Sequence, residues 1–242
     1  MKPPRHVIFE GLPATGKSEI LELLARFYPE SVRVLPELVK EIVHRLDLDL
    51  FRDRARLTAA LAEAIPERAD AVRRIVEAGF ICIEESHLGV HLAYARSLGD
   101  EAFVKACPSL EAQLPQPDAY VRLGLSATAS YARQLARSTP RFQVDEAVLA
   151  EMLDHLNRWH EARKTPLHVI DADRPAHAVL AELEEQLDLT YGARYGDIVD
   201  TFDILLLLGR PASGKSEFID FFTSRSAAVR AKEYHIGPFG VI

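Results

Sequence analysis

The sequence predicts an α/β fold: a parallel sheet of about five strands with helices on both faces. Three observations carry this. Short apolar, β-branched runs alternate with helical patterns through the first 188 residues. The run at 80–83, FICI, is apolar at every position, as in a strand covered on both faces. The segments between runs are long enough for the helical crossovers that parallel strands require.

In order along the chain, residues 6–10 form an apolar run that stops at Gly11. Ile20, Leu23, Leu24 and Phe27 then recur at helical spacing, so the start reads strand, glycine loop, helix. Residues 32–35 are rich in β-branched side chains and end at Pro36. Helical patterns dominated by Ala, Leu, Arg and Glu cover 38–46 and 51–78. The strand at 80–83 lies between Gly79 and the pair Glu84-Glu85, and helices are expected at 87–98, stopped by Gly99, and at 100–107. A strand at 119–125 is entered through Pro117-Asp118. Helices at 130–137 and 145–160 are separated by Ser138-Thr139-Pro140, and a strand at 167–170 and a helix at 176–187 close the alternation.

The chain has 242 residues, enough for one large domain and a fragment. With 48% apolar and 27% charged residues it can bury a sizeable core, which excludes wholesale disorder. The longest apolar run, 204–208, is far below the ~18 residues of a membrane span. A net charge of −7 weighs against a nucleic-acid partner and favours a small-molecule substrate. Cys82 and Cys107 are the only cysteines, which suits a reducing compartment and makes the cytoplasm the expected location.

Residues 11–20, GLPATGKSEI, recur as GRPASGKSEF at 209–218, and both copies follow an apolar run read as a strand, VIF at 7–9 and ILLLL at 204–208. Residues 1–188 are therefore expected to form the main domain, 189–202 a connector, and 203–242 the start of a second, truncated domain of the same kind. The alternative is an arm that packs on the first domain or on the neighbouring subunit of a homodimer.

Gly11, Pro13, Ala14, Thr15, Gly16, Lys17 and Ser18 form G-x-x-x-x-G-K-S between a strand and a helix, the context this motif demands. Glycines let backbone N–H groups curl around phosphates, and the helix offers its positive end. Lys17 reaches the β and γ phosphates, and the Ser18 hydroxyl reaches Mg²⁺. ATP with Mg²⁺ is the expected ligand, on a three-layer P-loop NTPase fold. The second copy places Gly209, Gly214, Lys215 and Ser216 in the same roles, with too little chain after them for an acceptor site.

In open α/β sheets ligands bind at the carboxyl ends of the strands. Glu37 follows the second strand there, where a carboxylate can accept the proton of an attacking hydroxyl; the alternative is an ordinary acid at a helix N-terminus. Glu84 and Glu85 end the third strand, where one acid can hold Mg²⁺, although two adjacent acids cannot both point into one site. Arg133, Arg137 and Arg141 recur at spacing four and read either as a lid over the phosphates or as a solvated face. Asp173, in the loop after the fifth strand, is placed to meet an adenine base.

These residues resemble the deoxynucleoside kinase and thymidylate kinase group of phosphate-loop kinases over 5–188. EGLPATGKS at 10–18 is similar to that family's E-G-x-x-x-x-G-K-S, PELV at 36–39 to its P-E-P-V, and EES at 84–86 to its E-R-S or D-R-S. The resemblance implies Glu37 as base, Glu84 as Mg²⁺ ligand, and Lys17 with the three arginines as a phosphoryl clamp. It also implies transfer of the γ-phosphoryl group of ATP to a nucleoside-like hydroxyl acceptor. Two departures stand out. Glu85 occupies the family's arginine position, which would repel an anionic acceptor, and the helix at 51–78 lacks the aromatic and glutamine residues that meet a nucleobase. The alternatives are a nucleoside monophosphate kinase of the thymidylate type and a regulatory or assembly module that binds nucleotide without transferring phosphate.

Overall fold

Strand pairing in the computed structural model, which describes residues 5–50, 52–137, 143–189, 202, 205–208 and 214–236, follows the alternation read from the sequence. The strands are β1 (His6–Gly11), β2 (Val32–Leu35), β3 (Ile81–Glu85), β4 (Ala119–Gly124) and β5 (Leu167–Asp171). They form one sheet in the order β2-β3-β1-β4-β5, every pair parallel.

The crossovers are α1 (Lys17–Phe27), α2 (Leu38–Arg45), α3 (Arg54–Glu77), α4 (Leu88–Ser97), α5 (Glu101–Glu111), α6 (Ala127–Leu135) and α7 (Glu146–Glu161), and α8 (Ala176–Gln186) follows β5. Successive residues of β1 serve opposite faces, as a pleated strand requires. Ile8 joins a core built from α2, α3, α4, α5 and α7, whereas Val7 and Phe9 join one built from α1 and α8. Two apolar layers therefore sandwich the sheet, giving the three-layer α/β arrangement. Each fully buried Leu or Ile contributes about 1.5–3 kcal/mol to holding the layers together. Gly89 lets α4 approach α7 closely, since a Cβ there would lie 2.8 Å from the Trp159 ring.

Several boundaries differ from the sequence reading. β3 runs on through both acids because its pairing with β1 continues, with Ile8 opposite Glu84 and Phe9 opposite Glu85. α5 extends past Cys107 through Pro108 to Glu111. α6 starts at Ala127, earlier than expected, because the Ser126 hydroxyl accepts the Ala129 N–H and caps it.

The strand expected at 204–208 does not form over the described residues 205–208. Leu205, Leu206 and Leu208 are 48%, 75% and 91% exposed, and no strand pairs with them. An apolar run becomes a strand only where a neighbour takes up its backbone groups, and here the sheet ends at β2 and β5. After it come α9 (Lys215–Thr223) and α10 (Ala227–Tyr234). α10 lies against the main sheet unit: the Ser226 N–H donates to Ala78 O, the Ala227 N–H to Glu30 O, and buried Arg230 pairs with Glu30. Val229 covers Gly79. These contacts lie where β2 and β3 begin, the opposite end of the sheet from the glycine loop. Residues 190–201 of the connector expected at 189–202 lie outside the described residues, as do Gly209 and Arg141. No helix among the described residues is long and apolar enough to cross a membrane.

Candidate active site

The glycine loop joins β1 to α1 with the backbone its sequence demands. Gly16 has φ +92° and opens α1, a conformation that strains any residue with a Cβ. Gly11 has φ +151°, and a Cβ there would stand 2.7 Å from Leu123 O on β4. Two hydroxyls brace the loop from within and without. Thr15 Oγ1 donates to Leu12 O at 3.0 Å, and Ser130 Oγ of α6 donates to Pro13 O at 2.7 Å.

Buried Lys17 turns back onto its own loop, donating to Gly11 O at 3.0 Å and Leu12 O at 2.9 Å. Burial outweighs the attraction of Glu37, Glu85 and Glu10 and brings its pKa down to about 8. The loop therefore holds an ammonium beside the amide cradle that loses its proton more readily than an ordinary lysine does.

A cavity of about 340 Å³ opens from this loop. Lys17, Ser18, Glu37, Lys40 and Glu85 line its polar end. Val43, Leu57, Leu61, Val90 and Phe103, from α2 to α5, supply apolar wall, and Arg54, His91, Tyr94 and Asp100 add polar groups. Gln134, Arg137 and Gln143 approach from the α6 side.

Glu37 immediately precedes α2 and is held from two directions. Buried Arg68 of α3 donates to Pro36 O at 2.9 Å and to Glu41 at 2.6 Å, which fixes the turn. Lys40, one helical turn on, places its ammonium 2.8 Å from Glu37 Oε2. Burial pushes the Glu37 pKa up, but His91, Lys40 and Lys17 more than offset it, so the carboxyl is held below its ordinary 4.5. Lys40 is held charged in return: burial lowers its pKa, and Glu37 and Glu85 raise it further.

Adjacent strand residues point to opposite faces, and this separates Glu84 from Glu85. Glu85 Oε1 accepts from Ser18 Oγ at 2.6 Å and from Lys40 Nζ at 3.0 Å. Glu84 instead accepts from His6 Nε2 at 2.8 Å and lies 4.0 Å from the Arg68 guanidinium, on the other side of the strand. Burial raises its pKa and these partners, with His87, lower it below the ordinary value. The acid expected to face Mg²⁺ thus braces the core, and its neighbour faces the Ser18 hydroxyl. The charge reversal at Glu85 is not isolated either, because Lys40 lies against it. Among the described residues there is no cluster of three metal-binding side chains. A Mg²⁺ ion carried by a triphosphate does not need one, since it takes one or two protein oxygens.

The arginines divide. Arg137 lines the cavity and lies 3.5 Å from Glu19 of α1. Arg133 does not line it, and donates to Ala172 O at 3.0 Å and to Asp173 Oδ1 at 3.1 Å. Asp173 is exposed and so ties α6 to the loop after β5. Gly214 repeats the left-handed turn of Gly16, with φ +80°, and Lys215 and Ser216 begin α9. Sequence reasoning missed Lys40, Arg68 and the cavity side of Glu85. Lys40 was detectable as the residue three places after Glu37 on one helix face, whereas Arg68 reaches Pro36 across 32 residues and leaves no local signal.

No family model matches the sequence, and no curated protein does. Among solved structures the chain is similar to deoxyadenosine kinase from M. mycoides. The form with bound dATP gives a TM-score of 0.59 at 12% identity, covering 76% of this chain and 99% of that chain. The form with the products dCMP and a flexible dCDP gives 0.58 at 13% identity, covering 76% and 98%. At this identity the likeness shows the fold alone: a parallel sheet between two helical layers, arranged as in those structures.

The Lys17 environment generates a prediction. A polyphosphate such as ATP bound at this loop would add negative charge beside an ammonium of pKa about 8 and raise that pKa, so its binding would take up a proton near and above pH 8. Calorimetry at pH 8 in buffers of different ionisation heat is expected to show net proton uptake, and ATP affinity is expected to fall as pH rises beyond 8. Binding with no proton exchange in the parent, or the same uptake in Lys17→Met, contradicts this.

Proposed function

We propose that the chain is a Mg²⁺-ATP-dependent phosphotransferase that moves the γ-phosphoryl group to a hydroxyl of a small acceptor, in the first instance a nucleoside or deoxynucleoside. The observation that carries this reading is that Glu37 and the phosphate loop share one cavity. A carboxylate held ionised at the mouth of the loop suits removal of a hydroxyl proton, which an acceptor phosphate would not need. The fold shared with deoxyadenosine kinase supports it, and the apolar wall from α2 to α5 suits the faces of a flat ring.

In this reading the loop amides and Lys17 bind the β and γ phosphates. Ser18 Oγ and Glu85 are the protein oxygens that would hold Mg²⁺, which when bound neutralises phosphate charge. Glu37 takes the proton of the acceptor hydroxyl as the new O–P bond forms and the bond from the γ phosphorus to ADP breaks. Lys17 and Arg137 face the charge that develops in that step. Arg141 is proposed as a further lid arginine from its place in the sequence. Arg133 and Asp173 serve the same lid by joining α6 to the loop proposed to meet adenine.

The segment 203–242 is proposed to stand apart from this reaction, because α10 docks at the end of the sheet away from the loop. Removing residues 203–242 is expected to leave the transfer rate within about twofold of the parent. A folded but inactive product, with parental ATP affinity, would place the segment in the reaction.

Glu37→Gln is expected to lower the transfer rate ~10²-fold or more while ATP affinity holds, and Lys17→Ala to abolish transfer. Parental rates from Glu37→Gln would remove Glu37 as the base.

A further inference from the structure

Two carboxylates, Glu37 and Glu85, face one cavity from different elements, and like charges so placed repel. A single ammonium lies against both. Lys40 Nζ is 2.8 Å from Glu37 Oε2 and 3.0 Å from Glu85 Oε1, and that same Glu85 oxygen accepts from Ser18 Oγ at 2.6 Å. A continuous line thus runs from the loop serine through Glu85 and Lys40 to Glu37.

Lys40 packs against nothing in the apolar core and serves the two carboxylates. Its own side chain is 54% exposed, whereas those of Glu37 and Glu85 are only 14% and 7% exposed, so its ammonium is what offsets their burial. Its position is also unfavourable by itself, because the first turn of a helix repels a cation. A lysine there is held by the carboxylates it meets.

We infer that Lys40 is a positioning residue for the phosphotransfer step: it fixes Glu37 to Glu85, so that the proton-accepting carboxylate keeps a set place relative to the phosphate loop. This rests on the function proposed above. Lys40 acts through Glu37 and need not touch the transferring group. It therefore governs the rate of the step, while the loop amides and Lys17 govern nucleotide affinity.

A double-mutant cycle tests this. Lys40→Gln is expected to lower kcat about tenfold or more, with affinity for a non-hydrolysable ATP analogue, read by calorimetry, within about twofold of the parent. Lys40→Arg is expected to recover most of the loss, because a guanidinium can meet both carboxylates. In a Glu37→Gln background the same Lys40→Gln change is expected to cost nothing further. A parental kcat from Lys40→Gln, or losses that multiply in the double variant, would overturn the inference. If the parent transfers phosphate to no acceptor, the proposed function fails by itself. Crystal structures of the parent and Lys40→Gln then decide the Lys40 question: a displaced Glu37 carboxylate upholds the positioning role, and an unmoved one overturns it.

Discussion

The parallel pairing of β1 with β3 sets Ile8 opposite Glu84 and Phe9 opposite Glu85, and the chemistry of the site depends on that register. Because the side-chain period of a strand is two, the pairing sends one acid into the helical layer that holds Arg68 and the other toward the start of α1. A slip of one residue would exchange the faces of the two acids and shift both along the sheet, away from the partners that Glu84 has in Arg68 and His6 and Glu85 has in Ser18. The same strand ends carry the glycine loop, so the register and the loop geometry are one constraint.

Around that constraint the charges are arranged in pairs. Glu84 is met by His6 and Arg68, Glu10 by His160, and Glu37 and Glu85 by Lys40. Burying any of these carboxylates alone would cost several kcal/mol. Arg68 belongs to both the core and the site, since it approaches Glu84 and donates to the carbonyl that precedes Glu37. Packing of α3 on the sheet thereby places the proposed base. The cavity combines this polar end with an apolar wall, an arrangement suited to bringing a hydroxyl on a flat, weakly polar body up to the phosphates.

The fold was legible because its signals are local. Apolar runs of strand length, helical periodicity and the glycine loop place all five strands, the seven helices between them and α8 after the last strand to within a few residues. The loop residues and Glu37 were legible for the same reason, since strand, turn and helix follow one another in sequence. The strand expected at 204–208 was misread because composition reports apolarity and not the presence of a partner strand. Glu84 was read as facing the loop because the choice between adjacent acids rests on strand phase, which the pairing with β1 decides. Arg133 was read with Arg137 because spacing four puts them on one helix face; what each meets is set by tertiary contacts, Asp173 for one and the cavity for the other. Lys40 is an intermediate case, local in sequence but meaningful only once Glu85 is known to face it.

The measurement that tests the central claim most directly is ADP release from Mg²⁺-ATP against nucleosides, nucleoside monophosphates, sugars and buffer alone. The account predicts stimulation by an unphosphorylated acceptor carrying a free hydroxyl, with stoichiometric phosphorylated product. Equal ADP release with every acceptor and with buffer, from protein that demonstrably binds ATP, would contradict it and leave a nucleotide-binding module in place of a kinase.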